Sequence, residues 1–425
     1  MLNTDKLIPP KGIYKYWFTL SKNVYVSNLS QGALLLYNTV NGQSFESSYI
    51  PFIEIVKDIH KPENLGIIGL KPSIEEDQQC WATLQHCIEK KIGLLINVEE
   101  GKSKPINLLP ILSLQKDIDK FTISGEQDLI GHNIMSYLTE LNIYINTDCE
   151  QSCPLCTNYH KQVNSCFKGA TSTSLSLKLV ETILNQASNS STKNINILGG
   201  NIFRYSLLHE LLALTLKYKY EYHFWINHKN FDEETYQKIA SLNNHTDIIV
   251  SFPLGKGSIE SVAKICLGND RNTFQFFIET EEQYNYVSEL VETFPGIKYH
   301  VHPIYNGTNI KFFEKNIFLT REDILSDTIS MRKIFCNQKL NSNNFGSLTV
   351  LPDASIHANL NSKSIGDINK DSLLDCVYAE LVQNTAWRKV RNFEPCNRCS
   401  YQYLCPSPSN YETVIGKLNL CNVNA

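Results

Sequence analysis

Cys149, Cys153 and Cys156 stand in a C-x-x-x-C-x-x-C pattern directly after the apolar run Leu141–Ile145. Iron–sulfur clusters are held by cysteine thiolates, ordinarily four to a cubane. Three thiols on the loop after a strand can hold three irons and leave the fourth open, a vacant position where chemistry can happen. The residues alone keep two alternatives. Clustered cysteines also bind zinc, with Cys166 as a fourth ligand, and a cysteine is often no more than a small buried hydrophobe. A second group, Cys396, Cys399, Cys405 and Cys421, lies near the C-terminus. There the two thiols of a C-x-x-C bite one centre and two more close it. A closed site suits electron transfer or structure, and zinc is again the alternative.

The elements that must position these groups alternate through the middle of the chain. Asn142–Asn146, Asn194–Leu198, Tyr222–Asn227, Asp247–Phe252, Thr273–Glu279 and Lys298–Ile304 read as strands. Between them, Ser174–Gln186, Ser206–Tyr218, Glu233–Leu242, Ile259–Leu267 and Glu282–Phe294 carry helical periodicity. Six strands alternating with helices predict a parallel α/β sheet. Functional loops then belong at the strand carboxyl ends. The cysteine loop and the Gly199-Gly200 pair both fall there.

With its cysteine spacing and this alternation, the chain resembles the radical S-adenosylmethionine (SAM) superfamily over about 142–304. Leu155, apolar before the third cysteine, fits that pattern. The resemblance implies a partial (β/α)6 barrel and a SAM-binding 4Fe-4S cluster on Cys149, Cys153 and Cys156. It implies that the open iron chelates the SAM amino and carboxylate groups, and that reductive cleavage releases a 5′-deoxyadenosyl radical. Where the family has Gly-Gly-Glu-Pro, this chain has Gly199-Gly200-Asn201-Ile202. Glycines permit close backbone approach, and Asn201 can accept a hydrogen bond through its amide oxygen without the charge assistance of a carboxylate. Ser251 and Glu279, ending the fourth and fifth strands, match positions where the family places polar SAM contacts.

The C-terminal cysteines, with a hairpin expected over Phe345–Pro352, Asp353 and Ile356 and followed by Gly366–Ile368, resemble the SPASM domain. By that resemblance Cys396, Cys399, Cys405 and Cys421 hold one auxiliary 4Fe-4S cluster. A second auxiliary site is eroded: Cys336 matches its leading cysteine, but Ala354, Asn359 and Ser409 stand where a glycine and two cysteines belong. The first 100 residues differ in character. Tyr16–Leu20, Val24–Asn28 and Ala33–Tyr37 alternate like short antiparallel strands, Glu75–Lys90 is helical, and Gly93–Ile96 closes the unit. This order resembles the winged-helix RiPP recognition element, which grips the leader of a ribosomal precursor peptide as an added edge strand.

Composition sets outer bounds. At 425 residues two or three domains are expected. We expect a peptide-binding domain over 1–104, a linker over 105–138, the barrel over 139–310 and the SPASM-like domain over 311–425. The net charge of −4 gives no electrostatic case for nucleic acid. No apolar stretch reaches the roughly 18 residues of a membrane span. The N-terminus lacks a signal-peptide pattern, so a cytoplasmic location is expected, where thiols stay reduced. Thirteen cysteines there point to metal, not disulfides, and seven of them fall in the two groups. The function expected is a radical SAM maturase that abstracts hydrogen from a ribosomally synthesised peptide, with flavodoxin or ferredoxin as electron donor. The alternatives are a degenerate, non-catalytic partner that binds the peptide for another maturase, and a zinc-stabilised scaffold.

Overall fold

The computed structural model describes residues 13–27, 32–99, 102–110, 133–154, 156–255 and 257–423. Asn28, Leu155 and the segment 111–132, most of the expected linker, lie outside the described residues. The N-terminal unit contains six strands: β1 Tyr16–Leu20, β2 Val24–Ser27, β3 Leu34–Asn38, β4 Ser44–Ser47, β5 Ile68–Leu70 and β6 Gly93–Asn97. They form two small antiparallel sheets, ordered β5-β1-β6 and β2-β3-β4. The helices Ile50–Ile59 and Gln78–Glu89 cover them with Phe52, Ile53, Val56, Leu84 and Cys87, packed on Phe18, Leu36 and Phe45. Strands β4 and β5 and the first helix have no counterpart among the sequence expectations.

The main sheet begins with β7 Glu140–Tyr144, β8 Asn194–Leu198, β9 Glu221–Asn227, β10 His245–Ser251, β11 Asn272–Ile278 and β12 Lys298–Pro303. All six are parallel and stand in chain order. Right-handed crossovers between successive neighbours put every connecting helix on one face. The side chains follow that rule. Ile143, Ile197, Phe224 and the helix Leu177–Ala187 share one core, while Val250, Phe276 and the helix Glu281–Thr293 share the next. The helix starts are written locally. Ser176, Asp232 and Thr280 each accept an N–H from the first turn of Leu177–Ala187, Glu233–Ser241 and Glu281–Thr293.

Three further strands extend the sheet: β13 Ser347–Val350, β14 Ser355–His357 and β15 Gly366–Asp367. β13 runs parallel to β7 and β14 returns antiparallel, giving nine strands in the order β12-β11-β10-β9-β8-β7-β13-β14-β15. The expected hairpin is therefore the edge of the main sheet. Leu348, Val350, Leu373 and Trp387 lie in the same core as Leu141 and Ile195, so hydrophobic packing crosses the boundary expected at 311. The other half of the C-terminal region packs elsewhere. Ile324, Ile334, Tyr401 and Leu404 close on Tyr25, Leu35 and Tyr37 of the N-terminal unit. Among the described residues no helix is long and apolar enough to cross a membrane.

Candidate functional site

The cysteine loop leaves the carboxyl end of β7, and Cys149, Cys153 and Cys156 line one small pocket with Cys166 and Gly200. Donors are aimed at the sulfurs. The Lys168 N–H lies 3.3 Å from Cys156 Sγ, Asn230 Nδ2 3.5 Å from Cys149 Sγ and Asn227 Nδ2 3.6 Å from Cys166 Sγ. Burial pushes the Cys153 thiol up while the charges of Lys229 and Lys168 pull it back; Cys166, more deeply buried, is pushed up to about 12. Arg204 pins the loop on both sides of Cys149, bonding Asp148 at 2.9 Å and also Glu150.

The double glycine has a steric cause. A Cβ on Gly200 would stand 2.3 Å from the Asp148 carbonyl oxygen, and one on Gly199 2.3 Å from Asn146 Oδ1. Bare backbone lets the end of β8 lie on the start of the cysteine loop, where Gly200 N–H donates to Asn146 O and Asn201 N–H to Asp148 O. The Asn201 side chain turns to local work. Its Oδ1 accepts the Phe203 N–H at 3.1 Å and caps the short turn Ile202–Arg204. Ser251 is buried at the end of β10, and its hydroxyl makes no hydrogen bond among the described residues. Glu279, just beyond β11, accepts from Asn306 Nδ2 at 2.8 Å and Tyr159 Oη at 3.5 Å.

Cys396, Cys399, Cys405 and Cys421 line a second cavity. Cys421 arrives through an isolated parallel bridge to Leu319, a contact that spacing cannot foretell. Two more residues belong to this site that the sequence gave no signal for. Arg391, almost fully buried, pairs with Glu412 at 2.9 Å and reaches Cys396 Sγ at 4.0 Å. Asn337 donates to the carbonyls of Tyr403 and Cys405, at 3.0 and 3.1 Å.

The residues at the positions expected of an eroded second auxiliary site have other roles. Asn359 Nδ2 donates to Asn344 and Asn410. Ser409 caps the helix Asn410–Ile415 in a reciprocal box with Glu412. Ala354 holds the left-handed backbone, φ +73°, that a glycine would adopt more easily. Cys336 opens onto a depression lined by Met331, Arg332, Phe335, Lys339 and Leu340.

The face of the sheet away from the helices is polar and hydrogen-bonded across strands, which the strand-by-strand sequence expectations missed. Asn196 Nδ2 donates to Asn142 and Trp225 Nε1 to Asn196; Gln275 Nε2 donates to Asp247, and His302 Nε2 to Gln275. The signal was there: a polar residue recurs at the alternate positions of strand after strand. At the far end of this face Glu221, His223 and His245 bring ligand atoms within 4.8 Å of one another. His245 Nε2 lies 3.0 Å from both Arg271 Nη1 and Glu221 Oε1, and the Arg271 cation opposes a second cation there. Burial opposes charge on His223, but the hydrogen bond and charge of Asp247 outweigh it and raise its pKa. We read this cluster as part of the polar network. Among the described residues, no three cysteine sulfurs approach one another as closely as those three groups do.

No protein-family model matches the chain, and no curated protein matches it. Solved structures resemble it at low identity. Streptococcus suis SuiB bound to S-adenosylmethionine is 14% identical, with a TM-score of 0.42 over 96% of this chain and 99% of that one. SuiB bound to the precursor peptide SuiA is 14% identical, with a TM-score of 0.43 over 96% and 100%. Native anSMEcpe with bound AdoMet and the Kp18Cys peptide is 14% identical, with a TM-score of 0.46 over 63% and 88%.

Proposed function

We propose that this protein is a radical SAM enzyme that modifies a ribosomally made peptide by hydrogen abstraction. The observation that carries the proposal is the gathering of Cys149, Cys153 and Cys156 in one cavity at the strand carboxyl ends, with N–H donors aimed at the sulfurs of Cys149 and Cys156. Hydrogen bonds to sulfur are a principal means by which proteins tune iron–sulfur clusters. Bound there, a 4Fe-4S cluster and SAM would supply the 5′-deoxyadenosyl radical.

The chain's own residues hold and shield that chemistry. Lys168, Asn230 and Arg204 order the loop. Gly199 and Gly200 keep the mouth of β8 open to close approach. The four C-terminal thiols suit one auxiliary cluster, with Arg391 offsetting its negative charge. In the N-terminal unit β6 is an edge strand with Leu94 and Ile96 exposed, an edge on which an extended leader peptide can pair. The test is anaerobic reconstitution, iron and zinc analysis, and 5′-deoxyadenosine formation with dithionite. Replacing the three loop cysteines with Ala should abolish the product.

One observation favours a second reading, a non-catalytic partner on the same scaffold. Asn201 stands where a carboxylate would meet the SAM ammonium, and its oxygen is committed to a cap. A fully reconstituted protein that makes no 5′-deoxyadenosine, with or without its peptide, would establish that reading.

A further inference from the structure

Cys166 is not part of the three-cysteine motif, yet the fold treats it as one of a set. It lines the same cavity as the three loop cysteines. Its place is fixed on both sides. The buried Tyr144 hydroxyl donates to Ser165 O at 3.0 Å, and Phe167 N–H donates to Gly199 O at 3.0 Å. Around it pack Tyr159, Ile249, Phe277 and Ile304. A thiol among apolar groups needs no donor, but this one has an amide. Asn227 is buried; its Oδ1 accepts the Lys229 N–H while its Nδ2 points at Cys166 Sγ. The same turn supplies Asn230, whose Nδ2 points at Cys149 Sγ. One turn thus serves a motif thiol and Cys166 alike, which is the provision a metal-bound thiolate requires.

We propose that Cys166 is the resting fourth ligand of this site: without SAM its thiolate closes the cubane held by Cys149, Cys153 and Cys156, and SAM enters by displacing it. The inference rests on the radical SAM reading above. The step is a ligand substitution with no change of oxidation state. The bond from iron to Cys166 Sγ breaks as bonds to the SAM amino nitrogen and carboxylate form. The proton lost by the SAM ammonium is taken up by the released thiolate. Held closed, the cluster has no iron open to water or oxygen until its co-substrate arrives.

The experiment is Mössbauer spectroscopy of the full chain, reconstituted anaerobically with ⁵⁷Fe, in wild type and Cys166→Ala, with and without SAM. Without SAM, every iron in the wild type should show four-sulfur ligation. In Cys166→Ala one iron of four at this site should show a ligand other than sulfur. Adding SAM to the wild type should produce the same one-in-four shift, a measurement that needs no variant to fold. A wild type that already shows the shifted iron before SAM is added overturns the proposal, as does one in which SAM shifts nothing. The radical SAM reading fails separately: that result is iron content unchanged in the triple Ala variant of the loop cysteines, or zinc in place of iron.

Discussion

Gly200→Ala tests the contact that seats the cysteine loop on the sheet. The new methyl would meet Asp148 O at 2.3 Å and the Asp148 and Thr147 carbonyl carbons at 2.8 Å, all backbone atoms that no rotamer change can move. An ordinary contact begins near 3.4 Å, so the two backbones must part by about 1 Å. That separation stretches two hydrogen bonds beyond use, Gly200 N–H to Asn146 O at 3.0 Å and Asn201 N–H to Asp148 O at 2.6 Å. Overpacking costs about 1–3 kcal/mol, and each lost bond about 1 kcal/mol net. A loss of roughly 3–5 kcal/mol follows, reduced to the extent that the loop swings outward. Swinging outward carries Cys149 away from Cys153 and Cys156. Either route has a readout: a lower urea midpoint for the metal-free chain, or lower iron occupancy after reconstitution. If Gly200→Ala matches the wild type in both, the loop does not depend on this contact and the steric account of the double glycine is wrong.

Iron content should be about eight per chain, two cubanes, and Cys336→Ala should leave it unchanged; a value near twelve would mean that Asn359 and Ser409 are not where ligands were lost. Asn337→Ala should cost about 1–3 kcal/mol, because it strips donors from two carbonyls beside the auxiliary site, and should lower iron retention there; unchanged retention under chelator challenge refutes it. Burial pushes His228 and His302 down to about 4, so both stay neutral in the fold. Their folded pKa values lie below the unfolded 6.5, so the stability they contribute is full above about 6.5 and is lost as pH falls towards 4, up to about 3 kcal/mol for each. Urea midpoints across pH 4–7 should therefore show a shallower fall in His302→Asn than in the wild type; identical slopes would refute the linkage. Asp77 caps the helix Gln78–Glu89 through the Cys80 N–H, which with the Tyr49 hydroxyl holds its carboxyl below the usual range. Stability from this cap is present above pH 4 and lost in more acid solution, and Asp77→Asn should remove that dependence.

The period of apolar residues was enough to locate the six strands β7 to β12 and the five helices between them, within a few residues at each end. That pattern is local: alternation fixes which side of a strand is buried, and Ser176, Asp232 and Thr280 mark helix starts through bonds three residues long. The cysteine groups were legible for the same reason, since ligands on one loop are spaced by the centre they must reach. What covers a surface is not written locally. That β13 pairs with β7, that Tyr25, Leu35 and Tyr37 pack against Tyr401 and Leu404, and that Cys421 is drawn in by Leu319 are contacts between segments far apart in sequence. Nor does a residue's type fix its task. Asn201 spends its oxygen on a cap, and Arg391 looks like any surface cation until Glu412 and Cys396 close around it. Cys166, ten residues beyond the motif, is open in the sequence to two readings, a fourth zinc ligand or an ordinary buried thiol. Only the turn after β9, folded back over the cysteine loop, sets Asn227 against its sulfur and puts it among the other three.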